Sequence, residues 1–140
     1  MAYRMMCLII TGLILSGGTA LASDAGKEAS AVSAAEKWLA TIDAGGYSAS
    51  WMEAAELFRN AVKPEQWEQS MQAARKPLGK LVSRIVQTKT YKTSLPGAPD
   101  GEYVVIQFET SFVNKKAAIE TVTPMMDKDG KWRVSGYYIK

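Results

Sequence analysis

One carboxylate in the sequence stands where an ionised group is costly. Glu120 lies in the middle of a predicted strand of apolar and β-branched residues, and a charge buried there must be paired or hydrogen-bonded. Burial in an apolar pocket raises the pKa of a carboxyl group, which suits it to acid/base catalysis. Asp43, at the end of the first predicted helix, is a second candidate. The alternative for Glu120, which we favour, is an ion pair across the sheet with Arg84 or Arg133.

The composition excludes several other chemistries. The 140 residues include one Cys and no His, so no Ser-His-Asp or Cys-His site and no imidazole metal ligand can form. The segment Asp127-Lys128-Asp129-Gly130 matches only the opening of a calcium loop. Its twelfth position is Tyr138, where such a loop needs a bidentate glutamate. We therefore predict no metal site and no cofactor.

Four tryptophans are spread over the predicted elements. The three predicted helices carry Trp38, Trp51 and Trp67, and the last predicted strand carries Trp132. Aromatic side chains at such spacing mostly form the core, and the alternative is an aromatic-lined cavity that binds a ligand. The candidate binding residues are then Trp38, Trp51, Trp67, Arg84, Trp132, Arg133 and Tyr138.

The charges are unevenly distributed along the chain. Residues 23–68 hold four bases and eight acids, whereas residues 69–140 hold twelve bases and six acids. Six positive residues lie between Arg75 and Lys92, and no acid follows before Asp100. This basic stretch, 75–92, predicts either a surface for an anionic partner or internal pairing with the acidic helices. Tyr91 is its single aromatic residue, and aromatic residues do not alternate with the basic ones along it, so we do not expect nucleic acid as a partner.

The first 22 residues have the pattern of a secretory signal peptide. One basic residue, Arg4, precedes an uncharged apolar run of 11 residues, and Ala20-Leu21-Ala22 forms an A-x-A cleavage site. The run is shorter than the ~20 residues that a membrane span needs. We therefore predict a signal peptide at 1–22 and a single periplasmic or secreted domain at 23–140, which is not an integral membrane protein after cleavage. That domain contains no cysteine.

The hydrophobic period changes from helical to strand-like after Gly79. Apolar residues repeat at helical spacing over 24–44, from Ser48 to Val62, and from Pro64 to about Arg75. Alternating residues then predict strands at 80–92, 102–113, 117–126 and 131–139. Short connections between consecutive strands favour antiparallel pairing. The order predicts an α+β fold, in which three N-terminal helices pack on a curved four-stranded antiparallel sheet.

The alternation also predicts which side chains share a face of each strand. Val104, Ile106, Phe108 and Phe112 fall on one side of the second strand. On the first strand Leu81, Ile85 and Tyr91 share a face, and on the last strand Trp132, Val134 and Tyr138 do so. The loop 95–101 contains two prolines and two glycines; we interpret it as a strand connection, and alternatively as a shaped cover or docking loop.

Several stretches together resemble a bacterial family of secreted proteins known as domain-of-unknown-function family 4019. They are Tyr47-x-x-x-Trp51, Phe58-Arg59, Trp67, Arg75-Lys76-Pro77-Leu78-Gly79, Ser83-Arg84, the segment 95–105, Glu120-Thr121-Val122 and the segment 129–134. The resemblance covers nearly all of residues 23–140. It implies an exported single domain and brings no established active site. The layout is similar to the nuclear-transport-factor-2-like, or cystatin-like, cone.

These observations predict an exported, non-catalytic domain. We expect it to bind a small apolar or anionic ligand, or a protein partner, in the cell envelope. The alternative is a small acid/base enzyme, isomerase- or dehydratase-like, that uses Glu120 in an aromatic-lined cavity; the cone folds that this layout resembles include such enzymes. A third expectation is a homodimer formed through the open face or an edge strand of the sheet.

Overall fold

The structure is a computed structural model that describes residues 19–140. Most of the predicted signal peptide, residues 1–18, lies outside the described residues, and this assignment stays a prediction. The helices are α1 (Thr19–Asp43), α2 (Tyr47–Glu53), α3 (Glu56–Ala61), α4 (Pro64–Ala74) and a 3-10 turn at Lys76–Leu78. The strands are β1 (Leu81–Lys92), β2 (Tyr103–Phe112), β3 (Lys115–Met126) and β4 (Trp132–Ile139). Among these helices, none is both long enough and apolar enough to cross a membrane.

The predicted α+β architecture is confirmed. The four strands form one open sheet in the order β1-β2-β3-β4, with every neighbouring pair antiparallel. Alternate residues of β2, from Val104 to Phe112, are buried as the period predicts. The helices cover that face, and the apolar stripe of α1 packs into the same core. The core therefore lies between one helical layer and one face of the sheet.

Helix α1 ends at a pair of glycines, Gly45 and Gly46. The Gly45 N–H donates to Ile42 O (2.9 Å), and the Gly46 N–H donates to Thr41 O (2.9 Å). These two bonds form a Schellman motif, in which the residue after the helix takes a left-handed conformation. Gly45 has φ +82°, which glycine adopts without steric cost. The turn brings Asp43 to the edge of the core beside β1.

The predicted second helix is two helices in the structure, which corrects the expected helix count. Ala54 and Ala55 are extended, with ψ angles of 164° and 151°. The Ala55 N–H donates to Val134 O of β4 at 2.8 Å, and both alanine side chains are completely buried. The apolar residues do repeat at helical spacing across this point. The pairing with β4 nevertheless interrupts the helix, because tertiary contacts override a weak local preference.

A β-bulge changes which residues of β4 face the core. Thr123 pairs with Gly136 and Pro124 pairs with Val134, so Ser135 is an extra residue on β4. Pro124 has no N–H to donate to the ladder, a situation for which a bulge is a common solution. The predicted alternation is therefore wrong beyond Val134: Tyr137 packs against the core, and Tyr138 is 59% exposed.

Strand β1 contains two similar irregularities. Its register against β2 shifts between Leu81 and Ser83 and again between Val86 and Thr88. Each shift moves the following residues to the other face. The predicted shared face of Ile85 and Tyr91 is consequently wrong: Ile85 is exposed, whereas Tyr91 packs against the core.

Candidate functional site

Glu120, the candidate acid or base, is completely buried and ion-paired with Arg84. The Arg84 Nε–H donates to Glu120 Oε1 (2.7 Å), and its Nη2–H donates to Oε2 (3.2 Å). The Thr110 hydroxyl donates to Oε1 at 2.6 Å, and the Tyr137 hydroxyl donates to Oε2. Both carboxylate oxygens thus accept two hydrogen bonds each. The sequence predicts either Arg84 or Arg133 as the partner of Glu120, and the structure shows that it is Arg84.

Asp43, the second candidate carboxylate, belongs to the same cluster. Its two oxygens accept bonds from Arg84 Nη1 (2.7 Å) and Nη2 (3.0 Å). Arg75 Nη2 also donates to Asp43 (3.2 Å), while Arg75 Nη1 donates to Gly79 O (2.6 Å). The Arg75 guanidinium lies 4.4 Å from the centre of the Phe112 ring. Two guanidinium and two carboxylate groups balance, so the formal charge of this cluster is zero.

We call Asp43, Arg75, Arg84 and Glu120, with Thr110 and Tyr137, the buried charge cluster. Burial lowers the pKa of Arg84, but its hydrogen bonds to the carboxylates outweigh that effect and hold its pKa above the usual value. Burial and the Glu120 charge raise the pKa of the Tyr137 hydroxyl far above its usual value. The phenol is therefore neutral and donates. Both carboxylate oxygens of Glu120 are committed to partners in the cluster, an arrangement that suits structural support, whereas the buried Arg75 Nε–H has no partner among the described residues.

Two of the four tryptophans fill the interior between the layers. The rings of Trp38 and Trp67 are 5.9 Å apart, and Phe58 and Tyr137 meet them edge-on at centroid distances of 5.0 and 5.3 Å. Both indole N–H groups bond to Ser50: that of Trp38 donates to its carbonyl (2.8 Å) and that of Trp67 to its hydroxyl (2.9 Å). These side chains form solid core in which each polar atom has a partner.

The other two tryptophans lie at the margin of the core. Trp51 is partly buried, and its indole N–H donates to Val62 O at 2.8 Å, which fixes the end of α3. Trp132 is partly buried at the start of β4 and lines a surface groove against α1. Of the seven candidate binding residues, the structure brings Trp38, Trp132 and Arg133 together at this groove.

The groove between α1 and β4 has a volume of about 650 Å³ and opens to solvent. Trp38, Trp132 and Val134 provide its apolar lining, together with Ala34. Its polar side chains are Ser30, Ser33, Lys37, Thr41, Glu53, Lys131 and Arg133. We call this surface the α1–β4 groove. It is concave, and its lining combines apolar side chains with both cationic and anionic groups.

Arg133 is ion-paired with two aspartates of the β3–β4 hairpin, and the three groups together carry a formal charge of −1. Its Nη1 donates to Asp129 Oδ1 and its Nη2 to Oδ2, both at 2.7 Å, and Nη1 also bonds to Asp127 at 3.2 Å. The hydrogen bonds from Arg133 lower the pKa of Asp129 to about 2. Arg133 therefore stabilises the hairpin. The basic side chains of the groove that form no ion pair within residues 24–140 are Lys37 and Lys131.

Substituting Arg133 with glutamine is expected to return the pKa of Asp129 from about 2 towards 3.8, the usual value of an aspartate carboxyl group. Because the folded-state pKa of Asp129 is lowered, its contribution to stability is present above pH 3.8 and is lost as the pH falls through about 2. Carboxyl 13C shifts followed by NMR across this interval measure the midpoint. An unchanged midpoint in Arg133→Gln would show that the ion pair does not form.

The basic stretch 75–92 divides into two groups. Arg75 and Arg84 form ion pairs within the buried charge cluster. This is the outcome expected if the basic stretch pairs internally. Lys76, Lys80, Lys89 and Lys92 are exposed, and none of these lysines forms an ion pair within residues 24–140. The exposed lysines flank or lie on β1, an edge strand.

The remaining candidates take structural positions. The loop 95–101 borders Tyr103, which is 1% exposed and whose hydroxyl donates to Pro99 O at 2.6 Å. This contact favours the simple strand connection. Tyr138 lies on the open face of the sheet, away from the groove. Among the residues that the structure describes, no three acidic, His or Cys side chains converge as a metal site.

Sequence reasoning missed two members of the buried charge cluster. Thr110 reads as an ordinary strand residue, and Tyr137 is displaced from its expected face by the bulge at Ser135. Pro124 was the available signal, because a proline inside a paired strand calls for a bulge.

Comparisons with known proteins give a family and no function. No curated protein and no solved structure matches the chain, so the likeness to the nuclear-transport-factor-2-like cone stays a prediction. A family model described as "Protein of unknown function (DUF4019)" matches residues 34–137. That range spans α1 from its middle, the rest of the helical layer and nearly all of the sheet, and the chain therefore belongs to the DUF4019 family.

Proposed function

We propose that this protein is an exported, non-catalytic binding domain of the cell envelope, and that the α1–β4 groove is its ligand site. The ligand is a small anion with a flat apolar body. The observation that carries this proposal is the juxtaposition of a partly exposed indole, Trp132, with Lys37 and Lys131 in one concave surface. Export rests on the signal-peptide pattern at 1–22.

The apolar part of the ligand would lie against the indole of Trp132. An aromatic side chain offers a large, rigid surface with little conformational entropy to lose. Trp38 and Val134, which are almost fully buried, form a firm floor beneath it. A floor fixed by the core gives a site that is formed before the ligand arrives, which lowers the cost of binding.

The anionic part would be held by Lys37 and Lys131. Both ammonium groups border the groove, and neither is in an ion pair within the described chain. Arg133 adds no attraction for an anion, because together with Asp127 and Asp129 it carries a formal charge of −1. The hydroxyls of Ser30 and Ser33 offer further hydrogen bonds. Glu53, on the same rim, accepts a bond from the Thr41 hydroxyl at 3.1 Å and would disfavour ligands with a second anionic end.

The acid/base alternative receives no comparable support from the geometry. Glu120 has no exposed surface, and its oxygens are occupied by Arg84, Thr110 and Tyr137. A catalytic carboxyl must reach the proton that it transfers, directly or through one water. The non-catalytic proposal therefore accounts better for the position of Glu120.

The test uses 2-naphthoate as the probe and neutral 2-naphthamide as its matched control. We expect naphthoate to shift the amide signals of Lys37, Lys131 and Trp132 in NMR titrations. It should bind roughly five- to tenfold more tightly than the amide, since two exposed charge contacts contribute about 1 kcal/mol together. The double variant Lys37→Gln/Lys131→Gln should remove that preference, and Trp132→Ala should weaken both probes.

The control variant is Lys89→Gln/Lys92→Gln, which removes the same charge from β1. It should leave the preference for naphthoate intact. Equal loss in both double variants would mean that only net charge matters and would refute the groove as the site. Shifts confined to other surfaces, or no saturable binding of either probe, would refute it as well.

A further inference from the structure

The rest of the described chain covers part of one edge of the sheet and leaves the other edge open. At β4, the Val134 carbonyl accepts the Ala55 N–H, so the α2–α3 junction covers part of that edge. At β1, the pairing of residues 81–92 is with β2 alone, and no backbone bond reaches its outer side from residues 19–140. Ten of its twelve residues are exposed. A row of backbone donors and acceptors is thus open along β1.

The open edge carries a single sign of charge. Lys80 precedes β1, and Lys89 and Lys92 lie on it, all exposed. Residues 69–99 contain no acid, and the two arginines in this region are paired inside the protein. The edge also exposes apolar surface near its beginning, where Val82 is 64% and Ile85 is 61% exposed.

We propose that the β1 edge, residues 80–92, is a docking site for an extended acidic segment of another envelope protein, which adds to the sheet as a fifth strand. Backbone hydrogen bonds along the edge would supply affinity, and the lysines would select the partner. In the antiparallel orientation the segment carries acidic residues opposite 88–92, followed by apolar residues opposite 82–86.

A polypeptide fits this surface better than other polyanions. The edge presents the N–H and C=O groups of every second residue, at a repeat of about 7 Å (two residues of about 3.4 Å each), and only a second backbone matches both series. The bulges at Val82 and Gln87 leave two regular segments, Ser83–Val86 and Thr88–Lys92. The first segment exposes the apolar side chains of Ile85 and Val86, and the second exposes Lys89 and Lys92, so the two segments together specify a direction as well as a charge.

A second copy of β1 is a poor occupant. Pairing two identical edges would bring the lysines of both chains together without an acid on either strand. Lysines and bulges on an edge strand oppose that self-association. The lysines would attract an acidic strand, and the bulges confine its pairing to the regular segments Ser83–Val86 and Thr88–Lys92.

The test uses a nine-residue peptide with glutamates throughout its first half and valines throughout its second, so that acidic side chains reach Lys89 and Lys92 on opposite faces of the strand. We expect binding to the whole protein by calorimetry, together with slower hydrogen exchange of the β1 amides. Methylating alternate backbone nitrogens of the peptide should abolish binding, and replacing its glutamates by lysines should weaken it at least tenfold. Lys89→Glu/Lys92→Glu should weaken the acidic peptide similarly, and the weakening should shrink as salt is added.

Lys63→Glu/Lys128→Glu is the matched control, with the same change in net charge at exposed sites away from β1, before α4 and in the β3–β4 hairpin. It should retain binding. Equal weakening by the control, or equal binding of the methylated peptide, would overturn the proposal. Tighter binding of heparin or of phosphatidylglycerol vesicles to β1 would identify a polysaccharide or a membrane instead. Concentration-dependent dimerisation that protects β1 would identify a second copy.

Discussion

Replacing Arg84 with methionine is expected to lower the free energy of unfolding by about 3–5 kcal/mol. Arg84 is the only side chain of the buried charge cluster that contacts both carboxylates within the described chain. Without it, Glu120 stays buried with two hydroxyl partners and no counter-charge. Asp43 keeps one contact to Arg75, at 3.2 Å. Urea denaturation followed by circular dichroism measures the loss.

The companion variants separate charge from packing. Adding Glu120→Gln and Asp43→Asn to Arg84→Met should recover a large part of the lost stability, because the unpaired charges disappear with their partner. Glu120→Gln alone should also destabilise, although less, since Arg84 retains Asp43. A Glu120→Gln variant that is as stable as the parent or more so would contradict the structural role and revive the catalytic one.

Substituting Trp67 with alanine is expected to cost about 3–5 kcal/mol as well, for a different reason. The indole packs against Trp38 and Phe58, and its N–H bonds to the Ser50 hydroxyl. Alanine would leave a cavity at the centre of the core and a buried hydroxyl that has lost a donor. Thermal and urea unfolding measure the cost, and near-ultraviolet circular dichroism reports the loss of the coupled aromatic rings.

Trp51→Ala is the matched control for this prediction. Trp51 is only partly buried, and its indole N–H bonds to Val62 O at the surface of the helical layer. Its removal should cost clearly less than that of Trp67, because neighbouring chain can relax around it. Equal costs at the two positions would show that the central aromatic contacts described above are not formed.

Most of the fold was predictable from the sequence because it depends on local patterns. The alternation in β2, the glycine pair after α1 and the proline at the start of α4 all act over a few residues. The α2–α3 break was not predictable in this way. It depends on the Ala55 N–H bonding to Val134, and those residues are far apart in the sequence.

The candidate site was only partly predictable for the same reason. The sequence singled out Glu120 because it is a charge among apolar residues, and it offered Arg84 as one of two partners. Nothing local shows that Asp43 reaches the same guanidinium, a contact across 41 positions. Because of the bulge at Ser135, Tyr137 faces the core in place of Tyr138. The alternation of residue types along a strand does not indicate where an extra residue is inserted.

The buried charge cluster joins the end of α1, the residue after α4 and two strands that are not neighbours, β1 and β3. If the helices moved by one turn along the strands, each guanidinium group would lose its carboxylate partner and would still be buried. Apolar side chains alone would tolerate such a shift, because one apolar surface can pack in place of another. The cluster therefore stabilises one alignment of the helical layer on the sheet. A fixed alignment also holds the two walls of the α1–β4 groove at a constant separation.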